Sequence, residues 1–268
     1  MLTTNFLLKL ILTPLIIAAA TLVSRKWGER IGGLMIGLPL TSGPVSVFFA
    51  VEQGPKFAAS AGRSSMLGLI PVAVFCASYV WCARRWRWQL TAILSVAAYS
   101  LTVVGMSYLS LDLGIEVLVV SAALCLAFVL LGRSIQAHQR IRPPWWDLPL
   151  RMYIATVMLI AITTAAGTLV STWAGLLSPF PVFTFVMATF AHSQGGAAAV
   201  WQWIRGVLMG LSSYTAFFIV VILLVEHSSL PLAYTLATIA ALGVNGAALL
   251  VVLWRERRRQ QRNAGAPA

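Results

Sequence analysis

The chain has 268 residues, of which 59% are hydrophobic and only 10% charged. A soluble domain carries about 25% charged residues, so the composition excludes an ordinary soluble protein and indicates a polytopic membrane protein. The formal net charge of +12 does not argue for nucleic acid, because the basic residues punctuate apolar runs and read as membrane topology.

A helical span needs roughly 20 apolar residues. Candidate spans follow one another at about 5–24, 31–51, 66–83, 88–110, 114–132, 150–170, 173–192, 206–226 and 230–254. The first reads as an uncleaved helix rather than a signal peptide, because no convincing Ala-x-Ala exit precedes Arg25. With nine spans and a cytoplasmic C-terminus, every Lys and Arg except Lys9, Lys56 and Arg63 falls on the cytoplasmic side. The positive-inside rule therefore predicts an external N-terminus. Between spans five and six, "RSIQAHQRIRPPWWDLPLR" reads as an interfacial connector, with Trp145 and Trp146 at headgroup depth. The tail "RERRRQQRNAGAPA" reads as a solvated or lipid-facing anchor. Cys76, Cys82 and Cys125 lie in apolar runs and show no pairing or metal-binding pattern.

"IGGLMIGLPLTSGPVSVFFAVEQG" (31–54) and "WAGLLSPFPVFTFVMATFAHSQGG" (173–196) align without a gap at an offset of 142 residues. Gly33 falls on Gly175, Pro39 on Pro181, Phe48 on Phe190 and Gly54 on Gly196. The register extends forward through Arg63 and Arg205, Gly68 and Gly210, and Phe75 and Phe217. Backward it pairs Lys9 with Arg151 and Thr21 with Thr163. Prolines, glycines and basic residues at one constant offset indicate an internal duplication. Spans one to four form one unit, spans six to nine the other, and span five separates them. An odd number of spans before the second unit makes the two units antiparallel across the bilayer.

Gly and Pro weaken helices. Their matched occurrence in two halves is a pointer to a transporter binding site, where broken backbone is tolerated because it lines a cavity. The plainer reading is that small residues in "GGLMIG" permit close helix packing.

No catalytic motif is present: there is no His-Glu-x-x-His, Gly-x-Ser-x-Gly, P-loop or Cys-x-x-Cys. His138, His192 and His227 are scattered, and neither a metal nor a cofactor is implied. The candidate binding residues cluster around the two broken spans. They are Pro39, Thr41, Ser42, Gly43, Glu52 and Gln53 in the first half, and Ser178, Pro181, Thr184, His192 and Gln194 in the second. Glu52 is the best candidate for a coupling group, with the alternative of a polar cap at a helix end. Glu116 also lies near a span end, whereas Glu29 and Asp147 read as loop residues.

Four basic residues complete the set. Lys9 and Arg151 lie at the starts of spans one and six, and Arg63 and Arg205 immediately precede spans three and eight. Half-helix N-termini favour anions, so together they suggest an anionic substrate. The alternative is snorkelling of long basic side chains to lipid phosphates. Asn245 is a further polar group within span nine.

"AGLLSPFPVFTF" (174–185) followed by "GVLMGLSSYTAFF" (206–218) resembles the small GlpM-type bacterial inner-membrane proteins, through an Ala-Gly-Leu run, a Phe-Pro-x-Phe step and a glycine-spaced span. The first half departs from that pattern with "GLPLTSGP". The resemblance implies a bacterial inner-membrane protein of fused-duplication origin, but neither a substrate nor catalytic residues.

The expected fold is all-α: about nine transmembrane helices, in two inverted four-helix repeats joined by a central helix. The expected units are 1–110, a linking helix and connector at 111–142, the inverted repeat at 143–254 and a basic tail at 255–268. The expected function is a transporter, not an enzyme, that moves a small organic anion or an anionic lipid-linked substrate by alternating access. Its partners are membrane lipids and that anion, not nucleic acid, and a homo-oligomer is compatible with the sequence. The alternative is a membrane scaffold or assembly partner that transports nothing.

Overall fold

The computed structural model describes residues 2–40, 42–106, 112–132, 144–168 and 180–264, with side chains except in 2–10, at 163, in 165–168 and in 255–264. Among the described residues every regular element is a helix. In chain order these are α1 (Leu2–Trp27), α2 (Glu29–Ile36), α3 (Ser42–Glu52), α4 (Pro55–Leu67), α5 (Leu69–Ala83), α6 (Trp88–Met106), α7 (Leu113–Leu130), α8 (Asp147–Thr168), α9 (Val182–Leu224) and α10 (Leu230–Ala264).

Among the described residues, five helical stretches are long and apolar enough to cross a membrane: Pro55–Ala83, Trp88–Met106, Leu113–Leu130, Val182–Leu224 and Leu230–Trp254. α6, α7 and α10 turn much of their apolar surface outward. Leu101, Leu118 and Leu250 are 75%, 70% and 69% exposed. Unbroken apolar faces of this kind are rare on soluble monomers and are compatible with contact to lipid. The interior holds the bulky rings of Phe75, Tyr79, Trp201, Trp203 and Phe218.

The break expected within the stretch 31–51 is present: α2 stops at Ile36 and α3 starts at Ser42, with Pro39 between them. Two expected boundaries are corrected. The helical run expected at 66–83 begins at Pro55. The polar residues 55–65 lower hydropathy, but no proline follows Pro55 until Pro71, so helix extends beyond the apolar window. For the same reason Arg205 lies inside α9 rather than ahead of a new helix.

α9 has 43 residues. A straight helix of that length would run about 65 Å, roughly twice the hydrocarbon core of a bilayer. It is not straight: Gly196 has φ 65° and ψ −164°, so two helical arms meet at that residue. Gly54 joins α3 to α4 with φ 90° and ψ 166°. Both glycines occupy a backbone region that is essentially closed to residues with a side chain. Pro55 then opens α4 at a position where a missing N–H costs nothing.

α2 crosses the second arm of α9 most closely at glycines. A Cβ on Gly33 would lie 2.2 Å from the Trp203 carbonyl oxygen, and one on Gly37 would lie 2.4 Å from the Gly210 backbone. Reciprocally, a Cβ on Gly210 would lie 2.5 Å from the Leu34 carbonyl oxygen. Gly33 and Gly37 face Gly206 and Gly210, so each helix contributes a pair of glycines four residues apart. Close backbone approach of this kind is how membrane helices associate without a hydrophobic driving force. The glycines of "GGLMIG" therefore serve packing.

The break between α2 and α3 leaves carbonyls that a continuous helix would have satisfied. Leu38 N–H donates to Met35 O at 3.2 Å, and Gly43 N–H donates to Pro39 O at 2.9 Å. The Leu34 carbonyl accepts from Asn245 Nδ2 of α10 at 3.4 Å. Asn245 thus bonds across to the broken span rather than within its own helix.

Candidate functional site

The strongest concentration of buried charge lies where the end of α1, the start of α2, the start of α8 and the first arm of α9 meet. Asp147 is fully buried and Arg151 is 5% exposed. Arg151 Nε donates to Asp147 Oδ1 at 2.9 Å, one helical turn away on α8. Arg151 Nη2 donates to Gln194 Oε1 at 3.2 Å, and Nη1 contacts Met187 Sδ at 3.5 Å. Gln194 Nε2 donates to the same Asp147 oxygen that Arg151 holds. The other carboxylate oxygen accepts from Arg25 Nη2 at 2.8 Å. The Arg151 guanidinium also lies 4.9 Å from the Phe190 ring.

Burial alone pushes the Asp147 carboxyl up, but the Arg151 charge and the hydrogen bonds from Gln194, Arg151 and Arg25 outweigh it and hold the group below its usual range. Glu29, at the start of α2, goes the other way. Burial pushes its carboxyl up; Arg151 opposes this, Asp147 adds to it, and Ser24 opposes it weakly. Glu29 Oε2, Ser24 Oγ and Trp203 Nε1 are buried with no partner at full hydrogen-bond distance, although the Ser24 hydroxyl lies close enough to Glu29 to favour its charge. Ser24 and Trp203 meet at Gly32, where a Cβ would lie 1.9 Å from the hydroxyl and 2.8 Å from the indole ring.

Two more charges hold the ends of α7. Glu116, in its first turn, is 3% exposed and accepts a two-pronged contact from Arg63, with Nε at 3.0 Å and Nη2 at 2.8 Å. At the other end the Arg205 guanidinium sits 4.4 Å from the Phe128 ring and 5.0 Å from the Trp201 ring. There the Leu131 carbonyl accepts from Arg84 and from Trp201 Nε1. Arg63 and Arg205, matched in the sequence register, thus touch opposite ends of one helix. Neither sits at a helix N-terminus, as the sequence had suggested, because both lie inside longer helices.

The remaining candidate residues lie in several places. Ser42 lies beside the Tyr214 hydroxyl. Gly43 faces the Phe217 ring, with room for a Cβ at 3.4 Å. Pro39 lies in the break, and Pro181 caps α9. Thr184 is buried in the first turn of α9. Half-buried His192 sets its ring edge-on to Tyr79 at 5.9 Å. Glu52 is exposed, and Gln53 helps line an open cleft with Gly54, Pro55, Lys56 and Glu226. Thr41 and Ser178 lie outside the described residues, and the Lys9 side chain lies outside the described side chains. Among the described residues no group of His, Cys, Asp and Glu is placed to hold a metal ion.

No family model matches this chain. No curated protein and no solved structure matches it either.

Of the charged cluster, sequence reasoning singled out Arg151 and Gln194 but left Asp147, Arg25 and Glu29 as loop residues. The signal for Asp147 was present in its spacing of four from Arg151, the spacing of a helical ion pair. It was masked by the neighbouring prolines and tryptophans of the connector.

Proposed function

We propose that this chain is a membrane transporter with nine spans, built from two inverted repeats around α7, and that it moves a small organic anion or an anionic lipid-linked substrate. The observation that carries the reading is the pairing of Gly54 with Gly196. The two stand 142 residues apart, and both adopt the same rare backbone conformation at a junction between helices. Matched breaks in two halves are characteristic of transporters that alternate access by rocking one repeat against the other. Arg63 and Arg205, at opposite ends of α7, are what an antiparallel pair of repeats around that helix requires. In the same register Asn5, Lys9 and Glu52 stand against Asp147, Arg151 and Gln194. Each half then carries one base, one acid and one amide, with acid and amide exchanged.

The anionic substrate rests on the excess of arginine over ionised carboxylate around Arg151. Arg25 and Arg151 share the single carboxylate Asp147, while burial disfavours charge on Glu29. The external N-terminus, the cytoplasmic C-terminus, the bacterial inner membrane and the likeness to GlpM-type proteins belong to the same reading. The second reading is a scaffold that transports nothing, and the glycine seam between α2 and α9 favours it, since such a seam also makes a stiff bundle.

Purified protein in proteoliposomes separates the two. The transporter reading expects counterflow of at least one organic anion, abolished in Arg151→Gln with the protein still folded. A folded wild-type chain that exchanges no carboxylate, phosphate or lipid-phosphate probe in either orientation supports the scaffold.

A further inference from the structure

We propose that Glu29 is a proton-binding residue, neutral in the arrangement described here, and that its ionisation redirects Arg151. Glu29 Oε2 is buried and has no hydrogen-bond partner. A carboxylate anion in that position would lose its hydration, with only the Arg151 charge and the nearby Ser24 hydroxyl to offset the loss, a cost that protonation removes. The cation whose charge acts on Glu29, Arg151, is already committed. Each nitrogen of Arg151 has a partner: Nε on Asp147, Nη1 on Met187 and Nη2 on Gln194.

The other charged groups on these elements face partners of their own. On α1, Arg25 is engaged with Asp147, and Lys26 lies over the Trp27 ring at 4.7 Å. On α2 itself, the Arg30 guanidinium is directed to Trp201 at 6.0 Å. On α8, Asp147 is the second carboxylate, and its negative charge opposes ionisation of Glu29. On α9, Gln194 is held by Arg151 and Asp147, His192 faces Tyr79, and Arg205 faces Trp201 and Phe128.

The cluster is therefore a two-carboxyl site with its roles divided. Asp147 holds two arginines as an anion, and Glu29 holds the proton. Paired carboxyls with opposed environments are how proteins place one acid and one base side by side. Loss of the proton from Glu29 to water creates a second anion within reach of Arg151, and Arg151 then divides itself between Glu29 and the Asp147–Gln194 pair. Gly28, with φ 98° and space around its Cα, lies between Ser24 and Glu29 and allows α2 to tilt as this happens. The assignment stands apart from transport: a chain that moved no anion would still carry this proton.

The test is an infrared titration of the full-length protein in lipid nanodiscs, with glutamate isotopically labelled at the side-chain carboxyl. The expected result is a labelled protonated-carboxyl band that persists above the ordinary glutamate range and is missing from Glu29→Gln. If Glu29→Gln does not fold, Glu29→Asp keeps an acid at the position and must also lose the labelled band. A wild-type spectrum in which all labelled carboxyls ionise within the ordinary range overturns the proposal. So does a late band that survives in both variants.

Discussion

Gly206 lies so close beneath the chain at Arg30 that a Cβ would fall 2.0 Å from the Arg30 carbonyl oxygen. The obstacle is backbone, so no rotamer change relieves it. Gly206→Ala is expected to cost about 1–3 kcal/mol, the range of core overpacking, and to lower the melting temperature in detergent. Gly43→Ala is the control, because its Cβ would meet only the Phe217 ring at 3.4 Å. Equal melting temperatures for the two variants would dissolve the seam.

Gly54 and Gly196 test backbone conformation apart from contact. Neither has any atom within 4 Å of an added Cβ, and both have positive φ. Alanine at either position is therefore expected to cost about 1–3 kcal/mol in backbone strain alone. Under the transport reading each single change also slows exchange, because each junction is a site of bending. A thermal melt and a counterflow assay on the same preparations check both effects. Full stability in Gly196→Ala would mean that the two arms of α9 join without strain.

The Arg63–Glu116 pair is asymmetric. Glu116 is 4% exposed and Arg63 38% exposed by side chain. Removing Arg63 strands a buried carboxylate, whereas removing the Glu116 charge leaves an arginine that reaches water or headgroups. Arg63→Ala should therefore destabilise more than Glu116→Gln, by less than the roughly 3–5 kcal/mol of a fully enclosed pair. The double variant Arg63→Gln, Glu116→Gln should recover much of the loss. Chemical denaturation in mixed micelles reads all three, and a more damaging Glu116→Gln would refute the assigned exposure.

Asp147 and Glu29 predict opposite pH dependences. The Asp147 carboxyl titrates below its usual range, so its stabilisation is present above the unfolded-state pKa and is lost as pH falls through the folded value. The Glu29 carboxyl titrates above its usual range. Its contribution is full below the unfolded pKa and is lost as pH rises through the folded value. Asp147→Asn should flatten the acid limb of a stability–pH profile, and Glu29→Gln should flatten the rise in instability from ordinary glutamate pH upward. A profile unchanged in either variant would remove that residue from the linkage.

The helices themselves were readable wherever apolar runs coincide with helix limits, as in α6, α7 and the start of α10, whose helix continues past the apolar run to Ala264. The break at Pro39 was readable because proline lacks a donor and clashes with the preceding turn. The start of α4 was not, because hydropathy measures burial in lipid and says nothing about a polar helix that continues past it. Arg63 was noticed as an exception to topology, but its reason lies in Glu116, 53 residues away, and such a pairing leaves no local mark. The Arg151 cluster was half legible. Its base and amide stand out on apolar helices, while Asp147 and Glu29 lie beside turn residues and look like solvated loop.

The glycine seam has a mechanical consequence. Leu34 and Leu38 flank the glycines of that stretch, and side chains of that size cannot occupy the places that Gly33 and Gly37 hold against the Trp203 and Gly210 backbone. A slide by a single residue is blocked, so α2 and the second arm of α9 are expected to stay seated on each other as one body. Under the transport reading the repeats then move by bending beside that body, at Gly28, around Pro39 and at the Gly54 and Gly196 junctions. The Asn245 contact to the Leu34 carbonyl ties the same body to α10, so a displacement that begins at Glu29 is carried through α2 to α10 at the opposite end of the sequence.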